Sequence, residues 1–222
     1  MISSLALLLL QGASTLPQPH WPSTFVADYV SDDKHTTGYY ASDTSPGVGA
    51  SRITFEDGSG DHLCSYYHTK TPCEQLTTGG FRYLYFPNLP DCCKCCTYAT
   101  GSYLCGGPVG PRWMSNATGN LIYEGKEVIL GRACHKWGIQ GIFPTHMNYY
   151  FQDVETGLPC GLDGYNYLRT PDEPADDQYL FKVGSVNLTV PHSTFDVPQL
   201  CKAARYCGGK VCAAGPDVRQ FV

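Results

Sequence analysis

The chain is poor in charge, poor in methionine and nearly without helical periodicity. Lysine and arginine number 15 against 20 aspartates and glutamates, giving a net charge of −5, and no basic run occurs anywhere. Phosphate backbones are gripped by a concentrated basic face, so nucleic acid is excluded as a partner. No segment offers the roughly 20 consecutive apolar residues of a membrane-spanning helix. The common catalytic signatures are missing too: no G-x-S-x-G elbow, no H-E-x-x-H, no P-loop and no glycine-rich dinucleotide fingerprint.

What the chain does have is cysteine, tyrosine, glycine and proline. The first residues point to export. MISSLALLLL carries an unbroken apolar run over residues 5–10, and Gly12, Ala13 and Ser14 follow it, the order of a secretory signal peptide, although no basic residue precedes the run. Residues 1–14 are assigned to this leader, residues 15–207 to a single domain and residues 208–222 to a C-terminal tail without a hydrophobic anchor. Two glycosylation sequons, at Asn116 and Asn187, agree with an exported, extracellular protein.

Twelve cysteines follow: Cys64, Cys73, Cys92, Cys93, Cys95, Cys96, Cys105, Cys134, Cys160, Cys201, Cys207 and Cys212. Their even number and an oxidising destination predict disulfides. Cys92-Cys93 and Cys95-Cys96 are adjacent pairs, and neighbours on an extended backbone point to opposite faces, so each can staple a different partner. The C-x-x-C spacings also admit zinc, but they interleave, which makes one tetrahedral site awkward. Cys134 beside His135 is read as a disulfide cysteine next to a packing residue, since strand neighbours do not face each other. No metal site is assigned. The seven histidines are scattered, and the acidic stretch PDEPADD, residues 171–177, is read as a solvated turn because it lacks the spacing and glycine of a calcium loop.

Period-two stretches recur along the chain. TFVADYV sets Phe25, Ala27 and Tyr29 on one side; SRITFED does so with Ile53 and Phe55; FRYLYF with Phe81, Tyr83 and Tyr85; HMNYYFQD with Met147, Tyr149 and Phe151; DQYLFKVGS with Tyr179, Phe181 and Val183. SPGVG, DGSGD, TTGG, NATGN and ETGLP punctuate them as turns. Strand after strand without intervening helix predicts a mainly β, mostly antiparallel fold. One helix is predicted over residues 198–207, opened by proline and closed by Gly208 and Gly209.

FEDGSGDHL, RYLYFPNLP, GRACHKWGI, NYYFQDVETGLPC and STFDVPQLC, in this order, resemble ependymin-related proteins over residues 25–201. The likeness includes the Cys134-x-x-Trp137 step, a strand ending in Pro159-Cys160, and a closing Phe195-x-x-Pro198-x-x-Cys201. It implies a fold like bacterial lipoprotein carriers: a strongly curved antiparallel sheet, half a barrel, around an apolar cavity, with one or two short helices. It also implies fatty-acyl or lipid-like ligands, homodimers and a possible calcium ion. Carried over by position, the cavity would be lined by Tyr83, Tyr85, Tyr149, Phe151 and Phe181, with Trp137 nearby. The CCKCC and CGGKVC segments depart from the family's smaller cysteine complement.

The sequence therefore points to a secreted, non-enzymatic glycoprotein that binds a hydrophobic ligand. A disulfide-crosslinked matrix or surface-coat component is the second reading. A hydrolase is a third, which would need an activated nucleophile in a cleft.

Overall fold

The computed structural model describes residues 18–31, 36–97, 110–111, 121–140, 147–166, 175–208 and 212. The leader, the Asn116 sequon, Cys105, the Cys96 side chain and residues 171–174 lie outside this set. Eleven strands are described: β1 (Thr24–Ser31), β2 (Thr36–Asp43), β3 (Ala50–Phe55), β4 (Cys73–Thr78), β5 (Phe81–Phe86), β6 (Asp91–Thr97), β7 (Ile122–Ile129), β8 (Arg132–Gln140), β9 (Met147–Asp153), β10 (Pro159–Asn166) and β11 (Ala175–Phe181). They form one sheet in the order β6-β5-β4-β3-β2-β1-β11-β10-β9-β8-β7. All ten strand pairings are antiparallel. Two meanders thus meet where β11 lies beside β1, with Tyr29 opposite Phe181.

Local chemistry makes the turns. Thr78 pairs with Phe81 across Gly79 and Gly80, whose φ angles are 57° and 82°. Two successive left-handed residues suit the twist of a two-residue hairpin, and glycine adopts them without a Cβ clash. The β7–β8 hairpin uses the same geometry with Leu130 and Gly131, at 48° and 83°. Gly38 is required for space: a Cβ there would lie 1.8 Å from the Thr54 carbonyl oxygen.

The sheet is strongly curved and open. Side chains on its concave face converge into one cluster that includes Phe25, Tyr29, Tyr40, Phe55, Leu84, Trp137, Tyr150, Tyr179 and Phe181. On the convex face they diverge into two separate clusters. One, around Leu76, Tyr83 and Phe195, is roofed by the segment that carries the short helix α2 (Gln199–Lys202). The other gathers Ile129, Phe151 and Leu180 around the Cys134–Cys160 bond.

Two elements differ from the sequence-based expectation. Helix α1 (His62–Tyr67) lies in a stretch to which no particular element was assigned. Asp61 starts it, accepting from the Cys64 amide at 2.7 Å while also taking the Gln75 amide at 2.8 Å. Conversely, the helix predicted over residues 198–207 stops at Lys202. Past it the chain runs extended: Lys94 N–H donates to Arg205 O at 3.0 Å and Cys207 N–H to Lys94 O at 2.9 Å. Pairing with the open edge of β6 therefore wins over one further helical turn. The acidic stretch is also shortened, because its last three residues begin β11.

Ten cysteines form five described disulfides: Cys64–Cys73, Cys92–Cys201, Cys93–Cys207, Cys95–Cys212 and Cys134–Cys160. Such a set suits an extracellular or periplasmic compartment. Among the described residues no helix is long and apolar enough to cross a membrane.

Candidate functional site

The concave face is the candidate site. Strand alternation delivers its rings: Phe25 and Tyr29 from β1, Tyr40 from β2, Phe55 from β3, Trp137 from β8, Tyr150 from β9, Tyr179 and Phe181 from β11. They pack at aromatic-pair distances. Phe25 stacks on Tyr40 with centroids 5.6 Å apart, Trp137 stacks on Tyr150 at 5.8 Å, and Tyr29 meets Tyr179 edge-on at 5.0 Å. Trp21, ahead of β1, lies among them and touches Phe25, Tyr40 and Tyr150.

A few polar groups border this surface. Tyr150 donates from its hydroxyl to the His20 carbonyl, and burial raises its pKa, so it acts as a donor throughout the working pH range. Gln152 accepts from the His20 amide at 3.3 Å and donates to Gly157 O at 2.7 Å. Toward the β7 edge, the Tyr123 hydroxyl lies 2.8 Å from His135 Nδ1, and both rings abut Trp137. Burial, and then the charge of Lys126 across the strand pair, lowers the His135 pKa. An apolar bed with sparse polar groups at its border is the composition of a small-molecule site.

The six residues expected to line a cavity do not share one face. Trp137 and Phe181 stand in the concave cluster. Tyr83 and Tyr85 belong to the convex cluster beneath α2. Phe151 and Tyr149 belong to the other convex cluster, where Lys136 lies 4.3 Å over the Tyr149 ring. Burial alone would lower the Lys136 pKa, but Glu127 at 3.0 Å and Glu124 at 3.5 Å outweigh it and raise it. Tyr150, Tyr40 and Trp21 stand in the concave cluster and are not among the six. In Asn148-Tyr149-Tyr150-Phe151 both parities carry rings, so alternation cannot tell which face turns inward. Cross-strand partnership decides it: Trp137 opposes Tyr150, on the concave face.

No family model and no curated protein matches the chain. Several solved structures share its general course. An uncharacterized conserved protein from Thermus thermophilus aligns at 8% identity and TM-score 0.47, over 83% of this chain and 90% of that one. MucB, in the Pseudomonas aeruginosa MucA/MucB complex, aligns at 13% identity and TM-score 0.41, over 80% and 56% respectively. A LolA superfamily protein from Nitrosomonas europaea aligns at 13% and TM-score 0.24, over 68% and 66%. The chain thus spans little more than half the length of MucB. With TM-scores below 0.5, the reading of the site rests on its own residues.

Proposed function

We propose that this chain is a secreted, non-enzymatic glycoprotein of the kind the ependymin-related resemblance implies, and that it binds a fatty-acyl or lipid-like ligand on the concave face. One observation carries this reading: a single curved sheet gathers a continuous cluster of aromatic side chains, buried in this structure, on its inner side, assembled from both meanders. Each CH₂ that moves from water onto such a surface contributes about 0.8 kcal/mol. A medium-length acyl chain therefore gains enough to offset the cost of ordering it.

The test is lipid extraction and mass spectrometry of protein secreted from its own cells, together with uptake of a fluorescent fatty acid. Recovery of acyl species and saturable uptake are the expected results. A lipid-free protein that also takes up no probe overturns the reading.

A coat component crosslinked through cysteine is disfavoured by the pairing of ten described cysteines within one chain. A non-reducing gel separates the two readings. A covalent ladder supports the coat, and a discrete band supports the binder.

A further inference from the structure

Among the described residues, Trp21 is the one fully buried ring of the concave cluster that no strand carries. Its indole is 1% exposed and meets Phe25 edge-on at 5.0 Å, Tyr150 at 5.4 Å and Tyr40 at 6.1 Å. The other buried rings of this face ride on the hydrogen-bonded ladder. The segment that carries Trp21 reads Gln18-Pro19-His20-Trp21-Pro22. Pro19 and Pro22 have no amide hydrogen, so this stretch cannot extend β1 into the sheet. Side chains hold it instead: Tyr150 donates to the His20 carbonyl and Gln152 accepts from the His20 amide. Among the described residues the first backbone–backbone hydrogen bond follows at Ser23, whose carbonyl accepts from Thr44 N–H at 2.7 Å. Trp21 thus combines deep burial with a segment whose described hydrogen bonds lie outside the strand pairings.

We propose that residues 18–22 form a displaceable strap, with the Trp21 indole as the built-in occupant of the place where the hydrophobic ligand binds. This rests on the ligand-binding reading given above. Ligand entry lifts the indole out; ligand loss lets it return and keep the aromatic surface from water. The apparent affinity is then the intrinsic affinity multiplied by the fraction of molecules whose strap is open, so weakening the tether tightens binding.

The experiment uses the full-length secreted protein and a dansyl-tagged eleven-carbon fatty acid. Tyr150→Phe keeps the ring and removes the hydroxyl that holds His20; it is expected to bind the probe about fivefold tighter, the equivalent of one net hydrogen bond. A larger gain is expected for Trp21→Ala. A newly made cavity would explain Trp21→Ala alone, but not Tyr150→Phe. In a third protein, Trp113→Phe/Trp137→Phe, Trp21 is the sole indole. Saturation with untagged fatty acid is expected to shift its emission to the red and open it to acrylamide quenching. If the probe binds and the Trp21 emission stays where it was, the strap is overturned and the binding reading stands. If wild type and all variants fail to bind, the binding reading itself falls.

Discussion

Cys92 and Cys93 are neighbours in β6 and bond to residues on opposite faces of the sheet: Cys92 to Cys201 beneath the convex roof, Cys93 to Cys207 on the concave side. Cys95 adds a third bond, to Cys212, at a break in the β5–β6 register. The edge strand is thereby sewn to the C-terminal segment, which also covers its open hydrogen bonds at Lys94. A covered edge cannot recruit a foreign strand.

The three seam bonds span 109, 114 and 117 residues, but they close nearly the same loop. Once one is present, the next removes little further chain entropy. Cys93→Ser/Cys207→Ser is therefore expected to lose less than about 2 kcal/mol. Removal of all three bonds should cost well over three times that single loss. Guanidinium unfolding of the single and triple variants measures the difference.

Phe25 is fully buried between Trp21, Tyr40 and Phe181. Phe25→Ala is expected to destabilise by about 3–5 kcal/mol, the usual cost of an aromatic cavity. Val128, 71% exposed on the edge strand, should tolerate Val128→Thr within about 0.5 kcal/mol. Thermal unfolding of both variants checks the contrast.

Arg52 bonds Glu74 through Nε at 2.8 Å and through Nη2, and donates to Thr194 O from Nη1 at 3.0 Å. The guanidinium thus ties β3 and β4 to the turn that carries Phe195. Arg52→Met leaves Glu74 half-buried without its cation, and a loss of about 2–4 kcal/mol is expected. Arg52→Lys recovers little, because a point charge cannot reproduce the planar fork that reaches Glu74 Oε2 through two nitrogens and Thr194 O through the third. Denaturant titration, with limited proteolysis around residues 190–198, reads both effects.

The His135 pKa in the fold lies below its ordinary 6.5, through burial and the facing Lys126. Among the described residues, Tyr123, Trp137 and Gln152 are the other groups at the ring, and none carries a charge. The unfolded chain takes up this proton first. Stability is complete above pH 6.5 and falls as pH drops through the depressed value. Asp43 and Asp153 also titrate low in the fold. Burial opposes this, but hydrogen bonds from Ser45 and Thr24, and from Thr156 and Glu155, prevail. Their contributions are lost only as pH falls below 3.8. His135→Gln should therefore flatten the stability profile just below pH 6.5 and leave the acid limb near pH 3 in place, as measured by unfolding midpoints across that range.

Much of the fold was legible. Phe25, Ala27 and Tyr29 fall on one face as their alternation requires, as do Tyr179 and Phe181. Pro198 opens α2, and DGSGD ends in the residue that caps α1. The short α1 was not legible. Six residues give too little periodicity, and its start depends on Asp61 meeting Gln75, which lies on another strand.

The sequence by itself determined the mainly β, antiparallel class, several of the strands and turns, and the readiness of the cysteines to pair, because these depend on period, backbone freedom and a thiol count. Tertiary structure alone decided which cysteines met and which face of β5 and β9 turned inward. Where both faces of a strand carry rings, only curvature and the cross-strand neighbour distinguish them. It also brought Trp21 into the concave face, through partners roughly 130 residues away in sequence.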